Sequence, residues 1–184
     1  MRRAGVVGAI VIAAVAVVVA VAAATSGPGL RFTDGTPDDL RNVASKAWVR
    51  FVDAVPACAG RLDGLTVGVA WELTDRARYE PESALVLIRA PGTAGNLEAT
   101  LLHEFAHHAE HRCPPSSAFR HRFVTAAGLP AGTAWFGGDA WERIPSERFA
   151  EAAVRHVLGE PPPHVLVSVD PDEVRAVAAW AAGD

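Results

Sequence analysis

The chain has 184 residues, with 17 Lys and Arg against 21 Asp and Glu, half of its residues hydrophobic and only two cysteines. These proportions describe one modest domain and exclude a collagen-like, disordered or disulfide-dense chain. The formal charge of −4 gives no basic footprint, so no nucleic-acid partner is expected.

Residues 4–24 carry no charged or polar side chain. Rising about 1.5 Å per residue as a helix, the segment is roughly 31 Å long, the hydrocarbon thickness of a bilayer. Arg2 and Arg3 precede it, so the positive-inside bias keeps the N-terminus cytoplasmic and sends the remainder outward. Residues 1–24 are therefore expected to be a signal-anchor or a signal peptide. Retained, the segment makes a single-pass protein of the cell membrane with its domain outside. Cleaved after about Ala24, where Ala22-Ala23-Ala24 offers an A-x-A site, it yields a secreted protein. Without Arg2 and Arg3, 15 basic residues face 21 acidic ones, a formal charge of −6.

Residues 25–36, rich in Gly, Ser and Thr, read as a linker, and 37–184 as the domain. Thr36 before Pro37 is a plausible N-cap. Leu40, Val43, Ala44, Ala47, Trp48, Phe51 and Val52 follow at helical spacing, predicting a helix that ends at Pro56. Leu65–Trp71 and Ala84–Ile88, rich in Val, Leu and Ile, suit two strands. Asn96 can cap a helix running to Cys113-Pro114-Pro115, and further helices are expected at Ser117–Ala127, Pro145–Leu158 and Pro171–Ala182.

His103-Glu104-Phe105-Ala106-His107 is an HExxH motif within the predicted Asn96 helix. Residues four apart are turned by about 40° and rise about 6 Å, so the two imidazoles share a face and can converge on one ion. Glu104 adjoins them, placed to reach a water at the metal without ligating it, as a general base requires. Leu101, Leu102, Phe105, Ala106 and Ala109 form the opposite, packing side.

A catalytic zinc needs a third protein ligand and an open fourth position. His111 continues the i, i+4, i+8 series, but three such positions span about 12 Å, too far to meet at one ion. A longer HExxHxxGxxH motif is excluded, because Cys113 stands in place of its last histidine and Glu110 in place of its glycine. Glu147 and Glu151 share a face of the helix opening at Pro145 and remain as candidates.

HEFAHH, followed 40 residues after His107 by ExFAE, resembles the gluzincin metallopeptidases, in particular the compact zincin-like domain of the lethal-factor type. The resemblance spans the elements between Leu65 and Leu158. It implies an α+β, zincin-like fold, with a small mixed sheet packed on the HExxH helix and further helices. It implies a Zn2+ ion held by His103, His107 and Glu147, with Glu104 as the catalytic base. Glu151 would orient a ligand histidine, in keeping with the usual carboxylate partner of a ligating imidazole. A peptide or protein would be the substrate, and Ala84–Ile88 would be the sheet edge that pairs with it; an ordinary core strand fits the same pattern.

The resemblance breaks seven residues before the ligand glutamate, where that domain type carries a tyrosine and this chain has Ala140, then Trp141. An indole N–H donates a hydrogen bond but cannot act as an acid; Tyr79, His111, His121 and His156 are other candidates for stabilising the tetrahedral intermediate. Trp135-Phe136-Gly137-Gly138-Asp139 is either a mobile flap or a packed loop.

Cys58 and Cys113 lie 55 positions apart, and in an oxidising compartment a disulfide between them is expected, two buried thiols being the alternative. Three functions share these residues: a zinc metallopeptidase, a membrane-tethered binding module without catalysis, and a zinc hydrolase of a non-peptide amide. Glu104 favours catalysis, since a structural metal site has no use for a base.

Overall fold

In the computed structural model the described residues are 29–161 and 167–184. The predicted anchor or signal, residues 1–24, lies outside them; among the described residues no helix is long and apolar enough to cross a membrane. Among the described residues the class is α+β, with five α-helices and a four-stranded sheet.

Strand β1 (Arg31–Phe32) leads into helix α1 (Asp38–Ala54), followed by β2 (Thr66–Val69), β3 (Ala77–Glu80) and β4 (Leu85–Ile88). The sheet order is β1-β2-β4-β3, with β1, β2 and β4 parallel and β3 antiparallel to β4. Residues 31 and 32, expected in the linker, thus join the sheet: Arg31 pairs with Thr66 and Phe32 with Val67. The chain there packs closely, for a Cβ on Gly68 would come within 2.7 Å of Thr33 Oγ1.

The strand at Ala77–Glu80 falls in what the sequence presents as a polar stretch, and it changes the expected edge. Ala84–Ile88 is an interior strand, flanked by β2 and β3, and β3 is the edge strand on that side. The reason lies in the side chains. Val86 and Ile88 are fully buried, as a central strand demands, whereas β3 alternates half-buried Ala77 and Tyr79 with exposed Arg78.

Helix α2 (Ala94–Arg112) carries the HExxH motif. It starts two residues before Asn96, with Thr93 at the cap position and no side-chain capping bond. Similarly, Pro37 occupies the cap position of α1, and the Thr36 hydroxyl bonds the Val67 carbonyl instead. Leu101, Leu102, Phe105, Ala106 and Ala109 are fully buried, as their spacing predicts. Phe105 meets Trp48 of α1 edge-to-face at 4.9 Å and Phe51 at 6.0 Å. Such aromatic pairs add about 0.5–1.5 kcal/mol each beyond their burial.

Helices α3 (Ser117–Ala126), α4 (Pro145–Leu158) and α5 (Pro171–Ala182) complete the domain. Ser116 caps α3, and Asp170 with Glu173 forms a capping box on α5. Gly159 ends α4 at φ 76°, a conformation that favours glycine. Phe149 of α4 packs on Phe119, Phe123 and Trp180, and Arg148 is clamped to the buried Glu173 of α5 at 2.6 Å. Helix α4 is therefore fixed from both sides before its Glu147 and Glu151 turn towards α2. Cys58 and Cys113 form the expected disulfide, with Cα atoms 5.8 Å apart, tying the end of α2 to the turn after α1.

Candidate metal centre

One turn of α2 sets His103 and His107 on the same face, and the first turn of α4 brings Glu147 opposite them. His103 Nε2 lies 3.2 Å from His107 Nε2, and Glu147 Oε2 lies 3.1 Å from the first and 3.4 Å from the second. These three residues form a group able to hold a metal ion. They line a cleft of about 550 Å³ between α2, α4 and β3.

Each of the two imidazoles has its other nitrogen on a carboxylate. His103 Nδ1 meets Glu151 Oε1 at 3.1 Å, the contact expected of Glu151. His107 Nδ1 meets Glu110 Oε2 at 3.3 Å, which the sequence reading did not foresee. Glu110 is 1% exposed and also accepts from Ser146 Oγ at 2.8 Å and from the Trp135 indole N–H. It joins α2, the loop before α4 and the start of α4. Its signal in the sequence is an acidic residue three positions after a ligand histidine, where helix geometry brings side chains together.

The charges are tightly coupled. Burial works against a charged His107, but the carboxylates of Glu110 and Glu147 outweigh it and lift its pKa to about 10. His103 is raised likewise, burial being overcome by Glu147 and Glu151. Burial alone would lift Glu147; hydrogen bonds to both imidazoles and their charge hold it well below the carboxylate range. Glu104 goes the other way, raised chiefly by burial, with the nearby Tyr79 backbone N–H opposing the rise in small part. A carboxyl poised closer to neutrality suits proton transfer in both directions.

The direction of that N–H follows from the sheet register. Arg89 N–H donates to the Arg76 carbonyl, and alternation along an antiparallel ladder then turns the backbone groups of Ala77 and Tyr79 away from β4. The free edge of β3 faces the cleft beside Glu104.

Of the other candidates, Tyr79 and His111 line the cleft, whereas His121 does not, and His156 bonds the Ala54 carbonyl at 3.1 Å between α4 and α1. His108 Nε2 donates to the Leu62 carbonyl at 3.3 Å, and burial pushes its pKa down to about 4. Its Nδ1 is therefore an acceptor, and the Tyr79 hydroxyl donates to it at 3.0 Å. The 135–139 segment is part packed loop, part cleft wall. Trp135 is buried among Phe119, Phe123 and Phe149, while Phe136 is half exposed and stacks on His111 at 5.4 Å.

The chain matches no family model, no curated protein and no solved structure.

Proposed function

We propose that this protein is a zinc-dependent metallopeptidase of zincin-like type, exported or membrane-anchored, that hydrolyses peptide bonds in a peptide or protein substrate. The observation that carries the reading is the triangle of donor atoms, with sides of 3.1, 3.2 and 3.4 Å. A tetrahedral zinc with bonds of 2.0–2.1 Å needs donors about 3.3–3.4 Å apart. Two imidazoles and one carboxylate, each imidazole backed by a carboxylate, suit zinc in chemistry as well as spacing. When bound, the ion supplies Lewis-acid polarisation of the scissile carbonyl and of the attacking water.

The chain's own residues supply the rest. Glu104, beside the two imidazoles, takes the proton of the attacking water and passes it to the leaving amine. The outward backbone groups of Ala77 and the Tyr79 carbonyl offer an extended peptide a strand to pair with, which positions it without dependence on side-chain identity. This role moves from Ala84–Ile88 to β3, the edge strand that lines the cleft.

Metal analysis of the purified protein and cleavage of a peptide library by wild type and Glu104→Gln test the reading. The expected result is one zinc per chain in both proteins and cleavage by wild type alone. Zinc with no cleavage by either protein refutes the peptidase and leaves the binding module. Unchanged zinc affinity in Glu147→Ala removes the third ligand from the assignment.

A further inference from the structure

Hydrolysis of a peptide bond puts negative charge on the carbonyl oxygen, and the donors that meet that charge are held ready in the site. In this cleft several side-chain donors are already committed. The Tyr79 hydroxyl gives its hydrogen to His108 Nδ1, and the Ser146 hydroxyl gives its own to Glu110. Arg78 donates to Asp75 at 2.8 Å, and His111 stands a turn beyond His107, between Tyr79 and Phe136.

Trp141 differs from all of these. Its ring lies nearly parallel on the His103 imidazole, at 5.7 Å between centroids and 21° between planes. It belongs to the short 3₁₀ turn Trp141–Arg143 that feeds directly into α4, so its place is fixed by the helix that carries Glu147. Its side chain lines the cleft and is about one-third exposed, and among the described residues its indole N–H makes no hydrogen bond to the protein. An indole N–H donates only, so it has no competing use as an acceptor or base.

Resting on the peptidase reading above, we propose that Trp141 is a catalytic residue whose indole N–H donates a hydrogen bond to the substrate carbonyl oxygen as that oxygen gains negative charge. No proton is transferred: the N–H bond persists, and the hydrogen bond strengthens as the carbonyl rehybridises. Trp141 thereby contributes to the transition state, while proton movement stays with Glu104.

The test compares zinc-loaded wild type, Trp141→Phe and Trp141→His. Phenylalanine keeps a ring on His103 but removes the donor; histidine returns a ring N–H. On a peptide chosen from the library, Trp141→Phe should lose roughly 100-fold in kcat, the scale of one oxyanion donor, with KM nearly unchanged and partial recovery in Trp141→His. A second readout is independent of turnover. Calorimetric binding of a phosphinic analogue of that peptide, which places an oxygen where the charge develops, should weaken in Trp141→Phe while zinc affinity stays the same.

Equal kcat and equal phosphinic binding in wild type and Trp141→Phe overturn the proposal. So does a loss of zinc affinity as large as the loss of kcat, because Trp141 would then be supporting His103. If wild type cleaves no peptide, the peptidase reading fails by itself. A panel of phosphinic peptides then decides for Trp141: binding by wild type that weakens in Trp141→Phe upholds the donor role, and equal binding or none by wild type ends it.

Discussion

Removing the Glu110 carboxylate should damage both the fold and the metal centre. Its oxygens accept from His107 Nδ1, from Ser146 Oγ and from the Trp135 indole, and the group is 1% exposed, so water cannot replace it. In Glu110→Ala three buried donors lose their acceptor, each at about 1–3 kcal/mol. Relief of the buried carboxylate's own desolvation offsets part of this, leaving a net loss on the order of 3–5 kcal/mol, the scale of a broken buried pair. For a domain of this size that lowers Tm by roughly 10 °C. The imidazole of His107 also loses the partner that sets its tautomer and orientation, which should weaken zinc binding by about 10- to 100-fold. Glu110→Gln keeps one acceptor oxygen and should fall between the two. Calorimetric melting of the metal-free proteins and competitive zinc titration measure both effects, with the exposed Glu98→Ala as control, its surface pair with Arg50 being worth about 1 kcal/mol or less. A Glu110→Ala protein that melts with wild type and binds zinc within twofold of it would refute the assignment of Glu110 as the anchor of His107.

Both motif histidines hold protons above the ordinary range in the metal-free site, His107 up to about pH 10, and zinc requires neutral imidazoles; binding at pH 7.5 should release at least the His107 proton, measured by titration calorimetry in buffers of different ionisation enthalpy. The raised His107 pKa also stabilises the metal-free fold, fully below its ordinary value of 6.5, and that contribution should disappear as pH rises through about 10 in thermal melts. Replacing Cys58 and Cys113 together by serine opens a 55-residue loop and should cost on the order of 4 kcal/mol, read as a fall in the denaturation midpoint, with a steeper slope as the unbridged denatured chain expands. Ala77→Pro removes an outward N–H on the β3 edge while leaving the ladder to β4 intact; KM for a long peptide should rise several-fold with little change in melting, and an unchanged KM would mean that substrate does not pair with this strand.

Much of this molecule is written locally. The apolar spacing of α1, the HExxH pair on α2, and proline and glycine at the two ends of α4 each depend on neighbours within a few positions, and each stands where the sequence places it. Helical periodicity alone was enough to turn His103 and His107 to one face and Leu101, Leu102 and Phe105 to the other. The disulfide between Cys58 and Cys113 also stands as expected, because two cysteines in an oxidising compartment pair, and Glu151, expected beside a motif histidine, lies on His103.

Contacts between elements were decided elsewhere. Strand β3 is short and half polar, so its sequence resembles a loop; it becomes a strand by pairing with β4, and in doing so takes over the sheet edge expected of Ala84–Ile88. Residues 31 and 32 likewise gain their conformation from β2. Glu110 stands in an ordinary helical position, and only the arrival of Ser146 and Trp135 from distant segments makes it a buried hub. The motif was local, and with it the common face of His103 and His107. The closure of the third side of the triangle by Glu147, the backbone N–H near Glu104 and the ring of Trp141 over His103 arise only where α4 and β3 pack against α2, since long-range proximity depends on the packing of the whole chain.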